Sequence, residues 1–406
     1  MKILCFFGKF NYGDVSRGES YEYVNFIPAL RRLGHEVVFF DSLEREAYLD
    51  FADLNRQFLA CVLIEKPDVI LCSLMHYELW AETLRLIHDK TNAALINWST
   101  DDSWKYDQFS RLIADNFHIY ATTYKTAMQS AASNGHSNFV LTQWAANTNN
   151  LMEPCRTEEC RFQVTFIGSA YGNRHEWVSS LKSRGIDVQC FGHGWEAGAI
   201  PAADIPGIIN RSVISLNFGD SGLVMDGLRP MRSRQIKARI FEVPGAGGFL
   251  LTETADGLSD WYTIGEDIEV YEGIDELEAK IRHYLAHPEE RDRIAMEGYR
   301  RTVVRHTYEI RFRDLIERAE RSRRKSNENG RHSLMDSFAQ IERRHKPGLF
   351  LKIMKWMLVL PCTAIWGGRR GSRAARKILF ELSWRIMGKK TYSVSGWPGR
   401  LFYYES

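Results

Sequence analysis

Two periodicities alternate along the first 145 residues. Runs of consecutive apolar residues are followed by longer stretches whose apolar positions recur every three or four residues. Residues 2–7 read as a buried strand. Residues 19–33 read as a helix with Tyr23, Phe26, Ile27, Leu30 and Leu33 along one face, ended by Gly34. The next strand is expected at 36–41, with others at 68–72, 93–98, 118–121 and 139–142 and helices between them. Strands that are apolar throughout and separated by helices imply a parallel sheet covered on both faces.

A polar stretch over 147–161, containing Pro154 and several charges, interrupts this rhythm and reads as a linker. The pattern then restarts. Strands are expected at 163–167, 187–191, 213–217 and 248–252, and helices from Gly172, over 235–243, 274–287 and 288–306, and on to about residue 324. The expected domains are therefore 1–146 and 162–320, two Rossmann-like α/β units facing a cleft, where ligands bind outside the carboxyl ends of the strands. Residues 321–345 are dense in charge and poor in apolar residues and read as a second linker or an exposed helix. The segment 346–406 reads as a basic, helical, amphipathic extension, with Leu349, Ile353, Trp356, Met357 and Leu360 interleaved with Lys352 and Lys355.

Composition adds three constraints. The 406 residues are 44% hydrophobic and 26% charged, as expected of a globular chain with more than one domain. The formal net charge of +2 gives no footprint for nucleic acid. Residues 343–390, however, hold 13 Lys/Arg against the single acid Glu381, which leaves an acidic remainder and a basic tail. The seven cysteines are odd in number and scattered, and Cys155 and Cys160 lack a second Cys/His pair, so a reduced, cytoplasmic, zinc-free protein is expected. Ile3–Phe7 is too short an apolar run for a leader. No segment reaches the ~20 apolar residues of a span; the longest uncharged run near the end, 356–368, contains Pro361.

The most informative stretch is Gln235-Ile-Lys-Ala-Arg-Ile-Phe-Glu-Val-Pro-Gly-Ala-Gly-Gly-Phe-Leu-Leu-Thr252. It reads as a short helix, a Pro/Gly turn and a buried strand. Lys237 and Arg239 on one helix could neutralise a diphosphate, and Glu242 could accept both hydroxyls of a ribose. Gly245, Gly247 and Gly248 would let backbone approach a ligand closely. An ordinary charged surface helix with a tight connection has the same residues. The segment Arg239–Thr252 resembles the signature of CgeB-like, group-1-related glycosyltransferases, with Gly245-Ala246 where Ala-Cys is usual. The resemblance extends to Trp261-Tyr262, Tyr271 and His306-Thr-Tyr308. It implies a GT-B fold and transfer of a sugar, hexosyl-like and metal-independent, from a nucleotide diphosphate sugar, with no further cofactor. It also implies that Glu242 holds the donor ribose. The first glutamate of the Glu-x7-Glu pattern would fall at 234, which is Arg234, so the relatives' stereochemistry does not carry over.

Other loops join this candidate site. Phe166-Ile-Gly-Ser-Ala-Tyr-Gly-Asn-Arg-His175 matches the family's Gly-Ser-x-Tyr-x-x-Arg, so Gly168 and Ser169 could flank phosphates at a helix N-terminus and Arg174 could contact them. Gly192, Gly194 and Trp195 could border a nucleoside base, or Trp195 could simply pack; Asn217 could face the same cleft. On the acceptor side, the loop 8–19 offers Asp14 and the loop after the fourth strand offers Asp101 and Asp102 as general bases. Asp102 could instead cap a helix. His76 and His118 could be bases or structural residues. The acceptor is expected to be a glycan or a lipid-linked molecule. The tail suits either an anionic membrane surface, at the inner face of the membrane, or packing on the acidic body. A non-catalytic nucleotide-sugar-binding protein, or an epimerase on the same scaffold, remains open beside the transferase.

Overall fold

The computed structural model describes residues 1–226, 229–322 and 334–405, with side chains throughout except at 220–233. The chain packs as two units, Met1–Thr142 with Phe312–Ser406, and Gln143–Arg311.

The first unit is built on six parallel strands: β1 (Lys2–Phe7), β2 (Glu36–Asp41), β3 (Val69–Cys72), β4 (Ala94–Ser99), β5 (Ile119–Thr122) and β6 (Phe139–Leu141). Their order is β2-β1-β3-β4-β5-β6. β1, β3, β4 and β5 are almost wholly buried because helices cover both faces. These helices include α1 (Tyr21–Arg32), α2 (Phe51–Glu65), α3 (Ala81–Lys90), the short α4 (Asp102–Lys105) and α5 (Arg111–Ile113), and α6 (Lys125–Ser133). Helix α1 starts two residues later than the periodicity suggests. Ser20 caps it by accepting from Tyr23 N (3.1 Å), while its own hydroxyl donates to Gly8 O (2.6 Å) and ties the helix to the loop after β1.

The second unit has five parallel strands, β7 (Phe162–Ile167), β8 (Gln189–Phe191), β9 (Ser212–Asn217), β12 (Leu250–Glu253) and β13 (Glu269–Tyr271), in the order β13-β12-β9-β7-β8. An antiparallel hairpin, β10 (Asp220–Asp226) and β11 (Arg229–Arg234), follows β9 and was not anticipated. The helices are α7 (Arg174–Ser183), α8 (Ile205–Asn210), α9 (Arg239–Gly245), α10 (Ile274–Ala286) and α11 (Pro288–Arg305). Arg291 on α11 is fully buried and donates to the carbonyls of Val213 (2.7 Å), Ser212 (2.8 Å) and Cys155 (3.0 Å), pinning the start of β9.

The expected boundaries change in three places. Residues 147–161 do not form a free connector: Met152 N donates to Gly245 O (3.1 Å) and Thr157 Oγ1 to Asp292 (2.7 Å), so the stretch is part of the second unit. Helix α12 (Tyr308–Ser322) leaves that unit at Phe312, whose ring packs on Phe26 (5.0 Å) and Trp98 (5.6 Å) of the first. The expected linker 321–345 contains α13 (Leu334–Glu342), whose Leu334 and Phe338 are buried in the first unit's core, with Phe338 stacked on Trp80. Residues 323–333 lie outside the described residues. The extension is helical as expected: α14 (Leu349–Trp366), α15 (Gly368–Met387) and the single turn α16 (Trp397–Leu401). It packs on the first unit through Phe380, whose ring lies among His76, Tyr77 and Tyr392.

Candidate functional site

Because β12, β9, β7 and β8 are adjacent and parallel, their carboxyl ends lie on one side of the second sheet. The loops leaving them are joined to one another. After β7, Arg174 donates from Nη1 to Ser169 O (2.7 Å) and from Nη2 to Tyr171 OH (3.0 Å), and its guanidinium lies against the Phe166 and Tyr171 rings. Arg174 is therefore a buried strut for the Gly168–Tyr171 loop, and its Nη groups are committed to holding Ser169 and Tyr171. After β8, Trp195 Nε1 donates to Gly168 O (2.8 Å), and Ala170 N donates to His193 O (2.8 Å). Gly192 sits at φ +134°, where a Cβ would collide with the Gly168 carbonyl, so only glycine lets these two loops meet. Trp195 thus has a definite packing role, with its ring against Phe166 and His175.

Arg234 closes the hairpin and pairs through Nε with Oε1 of Glu253 (3.0 Å), a carboxylate with no exposed surface at the end of β12. Glu253 Oε2 accepts from Gly219 N (3.0 Å), and Gln235 N donates to Gly219 O (3.0 Å). These bonds hold residues 234–238 at the carboxyl ends of β9 and β12. The helix α9 begins only at Arg239, so Lys237 precedes it and does not share it with Arg239 and Glu242. Arg239 Nη1 and Glu242 Oε2, one turn apart, form an ion pair at 2.7 Å with both side chains about one-fifth exposed.

The remaining second-unit candidates fall elsewhere. Gly247 and Gly248 stand where α9 ends and β12 starts, at the opposite edge of the sheet. A Cβ at Gly247 would lie 2.5 Å from Met152 O, and one at Gly248 2.6 Å from Ile209 Cγ2. Both face protein atoms at this close range, as does Gly245 against Ala146, so their space is taken up by packing. Asn217 ends β9 but donates its amide to Thr252 Oγ1 (2.9 Å) and ties β9 to β12.

The first unit gathers a second polar group beyond β1, β3 and β4. Asp102 is buried, and its Oδ1 accepts from Ser99 Oγ (2.7 Å) and Ser110 Oγ (2.5 Å). It is neither a cap nor accessible as a base. Asp101 occupies the N-cap position without a side-chain capping bond and stays partly exposed. Asp14 is exposed and accepts from Ser16 Oγ and N, bonds that hold its carboxyl below the usual range, so it is a turn residue and a poor base. Lys105 is buried and donates to Leu74 O (2.7 Å); burial lowers its pKa although Asp102, Glu78, Asp101 and Glu22 oppose the shift. Glu22, at the start of α1, went unnoticed in the sequence. Burial raises its pKa, with the Asp101 charge adding to the shift, and Ser73 Oγ lies 3.4 Å away. His118 Nδ1 accepts from Leu95 N (3.0 Å) and is structural, and burial pushes His76 down to about 3, too weak for a base.

Residues 174–317 match the profile of a family described as Glycosyl transferase-like. No curated protein matches the chain in sequence. In structure it is similar to sucrose-phosphate synthase from Thermosynechococcus elongatus (TM-score 0.56, 11% identity, 78% of this chain and 98% of that one). It is also similar to a glycosyltransferase from Rickettsia africae (0.52, 10%, 79% and 98%) and to Anabaena HepE in complex with UDP and glucose (0.51, 12%, 78% and 98%). The chain has a GT-B glycosyltransferase fold.

Within this GT-B fold the motif residues outside α9 form its bed. Phe241 packs on Trp261 (6.1 Å), Tyr262 (5.6 Å) and His306 (5.4 Å). The His306 ring bridges Trp261 O (2.9 Å) and Arg311 Nη2 (3.0 Å), which assigns the proton to Nε2 and leaves Nδ1 as acceptor. Burial and the Arg311 charge push its pKa down to about 3. An unfolded histidine titrates near ~6.5, so between that pH and about 3 only the unfolded chain carries the proton. Stability contributed by neutral His306 is therefore complete above that range and is lost as pH falls through it, by at most ~1.4 kcal/mol per pH unit. Urea midpoints measured from pH 7 to 5 should fall, and His306→Gln, which can keep both hydrogen bonds, should flatten the decline. Parallel slopes for the two proteins would contradict this account.

Proposed function

We propose that the protein transfers a sugar, most simply a hexose, from a nucleotide diphosphate sugar to a glycan or lipid-linked acceptor, without a metal. In this reading it is a CgeB-like enzyme of the cytoplasm. The observation that carries the reading is the Arg239–Glu242 pair on α9, inside the matched segment, at a helix held against the carboxyl ends of β9 and β12. A carboxylate there can accept the two ribose hydroxyls, and Arg239 with Lys237 can face a diphosphate. The loops at Gly168–Ser169 and Gly192–Trp195, braced on each other, would border the rest of the nucleotide. The complex of Anabaena HepE with UDP and glucose supports a donor of this class. Glu22, with Asp101 beside it, is the base we assign to the acceptor side.

Arg234 favours a second reading, a nucleotide-sugar-binding protein without transfer, because a cation paired to Glu253 stands where related retaining enzymes place a glutamate. A thermal-shift screen against UDP, GDP, ADP and CMP sugars, followed by hydrolysis of the stabilising donor, separates the readings. We expect one nucleotide class to raise the melting temperature and its sugar to be released slowly to water. Stabilisation without release would favour the binding protein, and no stabilisation by any donor would sink both.

A further inference from the structure

Helices α14 and α15 form a hairpin with two different sides. The inner side of α15 places Phe380 in the first unit's core, and α14 covers α15 through Leu351, Cys362, Ala375 and Leu379. Helix α14 is therefore the outermost layer. Residues 349, 353, 356 and 360 follow helical spacing, with 350 and 357 on the same flank, and they carry Leu, Ile, Trp, Leu, Phe and Met. Each exposes between 49% and 76% of its surface. A continuous apolar stripe of this size exceeds what a monomer ordinarily leaves to water. On α15, Ile378, Leu382 and Ile386 repeat the pattern at intervals of four, also exposed.

Cations surround these stripes. Lys346 and Lys352 are exposed near the start of α14, Arg369, Arg370, Arg373 and Lys377 along the first half of α15, and Lys389 and Lys390 beyond its end. The rest of the chain is net acidic. We propose that the α14–α15 hairpin docks the protein on an anionic phospholipid bilayer, lying in the plane of the interface with the apolar stripe inserted and the cations at the headgroups. The acidic remainder of the chain is repelled by the same surface, which sets the orientation.

Lying in the plane fits better than crossing. Helix α14 has 18 residues with a mean hydropathy of 1.5 and is the only described helix whose length and composition come near those of a membrane span. At 1.5 Å per residue, however, it falls short of a ~30 Å hydrocarbon core. Crossing would bury Lys352 and Lys355, strip Lys355 from its bond to Leu401 O (2.7 Å), and unpack Cys362 from α15. The inference does not depend on sugar transfer, although it favours an acceptor presented at a membrane surface.

The test is flotation of the full-length protein with vesicles of phosphatidylcholine alone or with about one-third phosphatidylglycerol. Binding should be at least about tenfold stronger to the anionic vesicles and should weaken in high salt. Brominated acyl chains should quench Trp356 at the headgroup boundary. Trp356→Glu with Leu360→Glu should abolish binding. Arg369→Glu with Arg370→Glu and Arg373→Glu should remove the anionic preference. All five positions are exposed, so melting temperature and donor hydrolysis should not change. Equal binding to neutral vesicles, or no binding to either, would overturn the proposal. So would a dimer that Trp356→Glu with Leu360→Glu disperses, which would make a second copy the occupant.

Discussion

If Glu242 holds the donor ribose, Glu242→Ala should lower affinity for the nucleoside diphosphate of the preferred donor by about a hundredfold, equivalent to ~2.7 kcal/mol, as expected when a charge-assisted bidentate contact to two hydroxyls is lost. The side chain is paired with Arg239 at 2.7 Å, so its removal also frees a cation, which would strengthen phosphate binding and partly offset the loss. A 2′,3′-dideoxy nucleotide separates the two effects. Wild-type protein should bind it about as weakly as the variant binds the natural ligand. Glu242→Ala should not weaken it further, because the contact is absent on both sides of the cycle. Titration calorimetry reads all four affinities. If the variant loses the same factor for both nucleotides, Glu242 does not hold the ribose, whatever else it does.

If Glu22 is the general base, Glu22→Gln should have a larger effect, on turnover. A positioned general base is worth roughly 10²–10⁴ in rate, and glutamine retains the size and hydrogen-bonding reach of the side chain while losing the basic electron pair. The raised pKa of Glu22, caused first by burial and then by the Asp101 charge, brings it closer to neutral pH than an ordinary carboxyl, where it accepts a proton more readily. Donor hydrolysis serves as the assay, with water in place of the acceptor. We expect kcat to fall with little change in KM, and the acid limb of the wild-type profile to lie above the usual glutamate range. Asp101→Asn should have a smaller effect and should move that limb downward, since it removes a neighbouring like charge. Retention of full hydrolysis by Glu22→Gln would remove it from the mechanism.

Ten of the eleven strands of the two sheets were legible because they are mostly apolar runs of three to six residues; the short edge strand Glu269–Tyr271 was missed. Such runs have few alternatives once helices of matching length separate them. Lys2–Phe7 and Glu36–Asp41 appear with the expected ends. The hairpin Asp220–Asp226 with Arg229–Arg234 was not legible, since its strands mix charges, glycine and proline with apolar residues and show no regular alternation along the sequence. Residues 334–342 were hidden in the same way: the charges on either side of Leu334, Met335, Phe338 and Ile341 masked a helix that the first unit's core requires.

The candidate site divides along a similar line. The order Arg239, Phe241, Glu242 and the Gly-Gly-Phe-Leu-Leu-Thr run specified a helix, a tight turn and a buried strand, and with them the type of fold. Sequence spacing could not say which side of the sheet each residue would reach. Gly247 and Gly248 are close to Glu242 in the chain, yet they stand at the start of β12, where the backbone of Met152 and the side chain of Ile209 occupy the space a ligand would need. Glu253, six residues beyond Gly247, reaches the carboxyl end and captures Arg234 across the sheet. Glu22 and Lys105 are 83 positions apart and meet only because β1, β3 and β4 are neighbours. The chain's own pattern thus determined most of its strands, its long helices and the apolar stripe of α14. Which carboxylates are buried, which cations they face and which glycines meet protein were decided by tertiary packing, because burial and charge pairing depend on strand order, which local sequence does not encode.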